Sequence, residues 1–254
     1  MTMHPQRGFL QRMAMAAVTM SLAAGAWAQF LFGSPRGYVE SFCMNGNNIT
    51  VERFNPFMPG LHPAVIILHG SDGVEANGDL YRTAAKTLAA KGFVAIIVHY
   101  FDATGTDPDE LEGLKTLPRE FSTWIRAVRG AIDYTASLGN VDCNRIGIVG
   151  FSLGGYLASG VATNNPRVAA VVNAFGGIPH NYRDSAKSMA PTLIVHGELD
   201  DKVPVSEAWE LDHLLKRLGA CYDTKIYPCE GHIFDGPARD DASLEALSFL
   251  KSTL

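Results

Sequence analysis

From residue 38 onward, short runs rich in Val, Ile, Leu and Ala alternate with longer stretches whose apolar residues recur at helical spacing. This alternation admits few folds. Parallel strands must be joined by crossovers of a dozen or more residues, and a helix makes that crossover while covering one face of the sheet. Strand-like runs occupy residues 64–68, 93–98, 145–149, 169–174, 192–196 and 222–227. Several of them are uninterrupted apolar runs, as strands buried on both faces require. Before them, runs at 38–43 and 49–54 flank Asn45-Gly46-Asn47, a turn signal for an antiparallel hairpin. The count predicts an eight-stranded, mostly parallel sheet.

Between the strands, Phe121, Trp124, Ile125, Val128 and Ile132 follow a helical period, as do Leu211, Leu214, Leu215 and Leu218. Leu80, Ala84 and Leu88 mark a helix after the third strand, and Leu244, Leu247 and Leu250 mark the last helix. These stripes are read as core packing. Residues 29–37 are read as a linker and 38–254 as one α/β domain with helices on both faces of its sheet. The longest segments without a pattern are 101–118 and 176–190, where loops tend to be functional. Neither is long enough for a large lid domain.

The 254 residues carry 21 Lys and Arg against 26 Asp and Glu, a formal charge of −5. No basic excess is present to neutralise the phosphates of a nucleic acid. Residues 1–28 have the anatomy of a secretory signal peptide: Arg7 and Arg12 without acids, an apolar run from Met13 to Gly25, and Ala26-Trp27-Ala28 before Gln29. The run is shorter than the roughly 20 residues that span a bilayer. Export with cleavage near Ala28, leaving no stable membrane anchor, is therefore expected. Cleavage removes two Arg and no acid, taking the charge from −5 to −7.

Cys43, Cys143, Cys221 and Cys229 all lie in the mature part. An oxidising compartment could turn this even count into two disulfides. Cys221 and Cys229 flank a strand that would hold them about 25 Å apart, too far for a bridge. Pairings through Cys43 or Cys143 and buried free thiols both stay open. No metal or redox spacing is present.

Gly150-Phe151-Ser152-Leu153-Gly154 follows the run at 145–149 and opens a helical stretch. This is G-x-S-x-G in a strand–turn–helix context, in which small flanking residues let strand and helix approach closely. A serine hydroxyl needs a base, and the base needs an acid to orient it; on this scaffold the chain order is Ser, acid, His. Asp200, at the end of the strand at 192–196, is the expected acid, with Asp201 and Glu198 competing because register decides which side chain points inward. His232, on a loop after the last strand, is the expected base. The Leu153 N–H and one from Leu68-His69-Gly70-Ser71-Asp72-Gly73, assigned to Ser71, are expected to form an oxyanion hole. His69 is read as supporting that loop and His196 as packing on its strand.

With these residues in view, the chain resembles the dienelactone hydrolase family of α/β-hydrolases. The resemblance rests on Ile67-Leu-His-Gly-Ser-Asp-Gly73, His99-Tyr-Phe-Asp-Ala-Thr-Gly105, Gly150-Phe-Ser-Leu-Gly-Gly155, His196-Gly-Glu-Leu-Asp200 and Gly231-His232. It implies the α/β-hydrolase fold, a triad of Ser152, Asp200 and His232, and neither metal nor organic cofactor. Members that open dienelactones usually carry cysteine at the elbow and hold the substrate carboxylate with arginines, for which Arg119 and Arg239 are loose candidates here. The expectation is an exported serine hydrolase acting on small-molecule carboxylic esters, with lactones or thioesters within its range. Peptidase or acyltransferase chemistry on the same triad, or a non-catalytic binding protein, are the alternatives.

Overall fold

The computed structural model describes residues 35–111 and 119–254. The leader, most of the expected linker and residues 112–118 lie outside them. The chain runs β1 (Gly37–Met44), β2 (Asn47–Phe54), β3 (His62–Leu68), α1 (Gly73–Ala90) and β4 (Val94–Val98), then two 3-10 turns at Tyr100–Ala103 and Pro108–Glu110. After the undescribed residues come α2 (Phe121–Ser137), β5 (Val141–Phe151), α3 (Leu153–Ala162), β6 (Ala170–Ala174), α4 (His180–Ser185), β7 (Thr192–Gly197), α5 (Ser206–Leu218), β8 (Tyr222–Tyr227) and α6 (Gly236–Thr253).

The eight strands form one sheet in the order β1-β2-β4-β3-β5-β6-β7-β8. Only β1–β2 and β2–β4 pair antiparallel. The β1–β2 hairpin turns at Asn45 and Gly46, whose φ angles of 51° and 87° are the positive values that the predicted Asn-Gly turn demands. Along each buried strand, alternate residues enter opposite cores. Ile66, Ile96 and Ile148 pack with Trp124 and Val128 of α2 and Leu157 of α3. Ile67, Ile97 and Val149 pack on the other face with Tyr81 and Ala85 of α1 and Leu250 of α6. Ile194 meets Leu211, Leu214 and Leu215 of α5 in a third cluster.

Two helical stripes differ from expectation. On α1 the buried side carries Val74, Tyr81, Ala85 and Leu88, while Leu80 is exposed. Tyr81 takes the inward position because its hydroxyl has a buried partner, the Gly70 N–H. On α6 Leu244 points to solvent and Leu250 is buried. The patternless segment 176–190 contains the short helix α4. The four cysteines are unpaired and exposed, not buried.

From the central β3, the chain steps to β4 on one side through α1, and later to β5 on the other side through α2. Helices that leave in opposite directions open a crevice beyond the strands' C-terminal ends, which is where α/β sheets collect functional groups. Among the described residues, no inserted lid covers that edge, and no helix is long and apolar enough to cross a membrane.

Candidate active site

Ser152 sits between β5 and α3 with φ of 54° and ψ of −115°. A non-glycine residue reaches this region only when its surroundings enforce it. The Ser152 N–H donates to the Ala174 carbonyl of β6 at 2.8 Å, and the Ser152 carbonyl accepts the Gly155 N–H at 2.8 Å. The turn closes only because its flanks lack side chains. A Cβ on Gly150 would stand 2.1 Å from the Gly154 carbonyl oxygen, and one on Gly154 would stand 2.4 Å from that of Leu68. All ten residues of α3 are buried, so its N-terminus is fixed behind Ser152.

His232 lies on the loop between β8 and α6. Gly197 ends β7 close against that loop; a Cβ there would be 2.3 Å from the Gly231 carbonyl oxygen. The His232 Nδ1 is 2.7 Å from Asp200 Oδ2, and its Nε2 is 3.0 Å from Ser152 Oγ. A carboxylate only accepts, so Nδ1 carries the proton and Nε2 accepts the serine O–H. The other Asp200 oxygen accepts the N–H groups of Lys202 and Val203, each at 2.9 Å. Its side chain is fully buried. Asp201 and Glu198 are both exposed, and Asp201 faces only Lys202 Nζ at 3.8 Å. The structure thus brings Ser152, His232 and Asp200 into one hydrogen-bonded chain and leaves the two competing acids outside it.

His196 packs behind the acid. It is fully buried, with Nε2 at 2.9 Å from the Val203 carbonyl and 3.4 Å from Asp200 Oδ2. Burial pushes its pKa down, against the opposing pull of the Val203 carbonyl and the Asp200 charge.

The loop carrying Ser71 is held by three aromatic side chains. The Gly70 N–H donates to Tyr81 Oη at 3.0 Å, and Tyr100 Oη donates to the His69 carbonyl at 2.9 Å. His69 Nδ1 lies 2.7 Å from the Gly70 carbonyl, and its ring stacks on Tyr100 with centroids 3.9 Å apart. Burial holds the His69 pKa down at about 3, the Gly70 bond opposing and His99 adding to the effect. His69 is therefore a neutral donor that supports the loop. Among the described residues, the Leu153 and Ser71 N–H groups take no acceptor. They are free for a ligand oxygen.

Arg239 is exposed and paired with its neighbour Asp240 at 3.3 Å. Arg119 is exposed, next to the undescribed residues before α2. Neither joins the Ser152 cluster. Three residues near that cluster escaped the sequence reading. Asn173 is fully buried in β6 and donates to the Gly155 and Gly177 carbonyls, each at 3.0 Å. Its only trace in sequence is a polar residue inside an apolar run. Tyr81 was hidden by its helical phase, and Phe175, at φ of 59°, left no local signal. Among the described residues, no group of three or more His, Cys, Asp or Glu could hold a metal ion.

A family model described as the dienelactone hydrolase family matches residues 52–250. The chain belongs to the dienelactone hydrolase family. A carboxymethylenebutenolidase homologue of Xenopus tropicalis is 23% identical to it over 218 residues, 81% of this chain and 85% of the relative. Among solved structures, a dienelactone hydrolase-like promiscuous phosphotriesterase from metagenomic libraries aligns with a TM-score of 0.75 and 17% identity, covering 87% of this chain and 99% of the other. The acylaminoacyl peptidase of Pyrococcus horikoshii aligns with a TM-score of 0.73 and 17% identity over 91% of this chain and 44% of its own. At such identities the structural likeness establishes the α/β-hydrolase fold. Membership in the dienelactone hydrolase family makes the chain a hydrolase.

Proposed function

We propose that the protein is an exported serine hydrolase that cleaves small carboxylic esters, lactones and thioesters included, through an acyl-enzyme. The observation that carries the reading is the unbroken Ser152–His232–Asp200 chain at a strained elbow. As Ser152 Oγ attacks the carbonyl carbon, His232 Nε2 takes its proton, and Asp200 keeps the imidazole oriented and stabilises its charged form. The carbonyl electron pair moves onto oxygen, which the Leu153 and Ser71 N–H groups hold. When the tetrahedral species collapses, the C–O bond breaks and His232 returns the proton to the departing alcohol oxygen. Water, deprotonated by His232, then hydrolyses the acyl-serine.

Ester or lactone substrates fit the carboxymethylenebutenolidase homologue among its relatives. The likeness to an acylaminoacyl peptidase makes amide cleavage the second reading. An ester panel run beside matched amides on residues 29–254 separates the two: ester turnover with inert amides is expected, and the reverse would make the protein a peptidase. Ser152→Ala should lower kcat by roughly 10⁴–10⁶, and wild-type turnover in that variant would overturn the assignment. Export rests on the leader in residues 1–28. N-terminal sequencing of protein recovered outside the cytoplasm should begin at Gln29, whereas a retained Met1 would refute cleavage.

A further inference from the structure

Phe175 is held against its own backbone preference beside the proposed nucleophile. Its φ of 59° is an outlier for a bulky residue, a conformation that persists only where the surroundings enforce it. The conformation is enforced from both sides. The Phe175 N–H donates to the Val195 carbonyl at 2.8 Å, and the following Gly176 N–H donates to Asn173 Oδ1 at 3.1 Å. The preceding carbonyl, that of Ala174, is the one that receives the Ser152 N–H. In this pose the Phe175 ring stands edge-on to the His232 ring, with centroids 5.9 Å apart, and lies 6.5 Å from the ring of Phe151. Phe151 and Phe175 are both half-buried at the margin of the core, where the Phe175 ring also meets that of Phe234 at 4.7 Å. Ile233, the next residue after His232, is 68% exposed.

We infer that Phe175, Phe151 and Ile233 form an apolar subsite for the alcohol portion of an uncharged ester. The inference rests on the proposed roles of Ser152 and His232. As the C–O bond breaks, the leaving oxygen takes the proton from His232 Nε2. That oxygen must lie within hydrogen-bond reach of the imidazole, and the group it carries must lie on the same side. The Phe175 ring packs edge-on against that imidazole, and Ile233 follows His232 directly in the chain. All three residues of the wall are apolar, and Arg239, on the helix that follows, is paired with Asp240. The strain at Phe175 thus holds an aromatic face where the departing alcohol sits.

The test uses benzyl acetate and methyl acetate, whose leaving alcohols have similar basicity, and 4-carboxybenzyl acetate, on wild type, Phe175→Gly and Ile233→Ser. The kcat/KM ratio of benzyl to methyl acetate should fall about 3- to 10-fold in Phe175→Gly, the worth of one lost aromatic pair. It should fall about 2-fold or more in Ile233→Ser, a surface change that leaves the core intact. Wild type should prefer benzyl over 4-carboxybenzyl acetate by about 10-fold or more. Unchanged ratios in both variants of an active enzyme, or a preference for the carboxylated ester, would overturn the subsite alone. A wild type that hydrolyses none of the esters and does not react with a fluorophosphonate would overturn the hydrolase reading and the subsite with it.

Discussion

At the scale of single residues, hydrogen-bond bookkeeping separates groups that local sequence leaves equivalent. Asp200 and Asp201 are neighbours of the same chemistry, yet one is buried with three donors on its carboxylate and the other faces solvent. Asp200→Asn should lower kcat by about 10³–10⁴, because an amide oriented by two N–H donors no longer fixes the His232 tautomer. Asp201→Asn should leave kcat within about 2-fold; the opposite ranking in ester kinetics would move the role to Asp201. Motif and chain order single out Ser152 and His232, which the fold brings within 3.0 Å of each other. The choice among Glu198, Asp200 and Asp201 depended on a one-residue register that only the folded strand end fixes. Burial also pushes the pKa of His69 and His196 down, that of His69 to about 3. In the unfolded chain both would protonate below about pH 6.5. The unfolded state then binds more protons, so the His69 contribution is complete above that pH and is lost as pH falls toward 3. For His69 the slope reaches about 1.4 kcal/mol per pH unit. Urea midpoints between pH 7 and pH 4 should fall more gently in His69→Gln than in wild type, and parallel slopes would contradict this.

At the scale of elements, close backbone approaches explain why particular glycines stand where they do. An added Cβ at Gly154 would press on two carbonyl oxygens of the β3 end, at 2.4 and 2.6 Å, and neither can move without opening the sheet. Gly154→Ala should destabilise the fold by about 3 kcal/mol or more, in the range of severe core lesions. Gly139→Ala meets nothing within 4 Å and should stay within about 0.5 kcal/mol of wild type. Equal denaturation midpoints for the two variants would show that the elbow is not tightly packed. The strands were readable because burial on both faces demands unbroken apolar runs, and the β1–β2 turn because Asn-Gly suits positive φ. Helix phase on α1 was less readable, since Tyr81 has a polar tip that places it inside only when a partner such as the Gly70 N–H is waiting. The strain at Phe175 left no trace in sequence, because a bond to β7 across the sheet and the local Asn173 side chain together impose it.

At the scale of the whole molecule, one sheet gathers groups that lie 80 and 32 residues apart in the chain. This convergence follows from the strand order, which puts the ends of β5, β7 and β8 along one edge of the sheet. The alternation of apolar runs and helical-period stretches makes that architecture legible in the sequence. Pairing of the cysteines was not legible, because sequence spacing does not report distances between surface strands. All four are exposed and unpaired, so protein lacking residues 1–28 should present four thiols to a chromogenic disulfide reagent without denaturant. Two or none would reveal bridges. Whether this convergence turns Ser152 into a nucleophile is read by covalent labelling. After treatment with a fluorophosphonate, intact mass and peptide mapping should show one adduct per chain on the Ser152 peptide in wild type and none in Ser152→Ala. An unlabelled wild type, or equal labelling of Ser152→Ala, would contradict a nucleophilic Ser152.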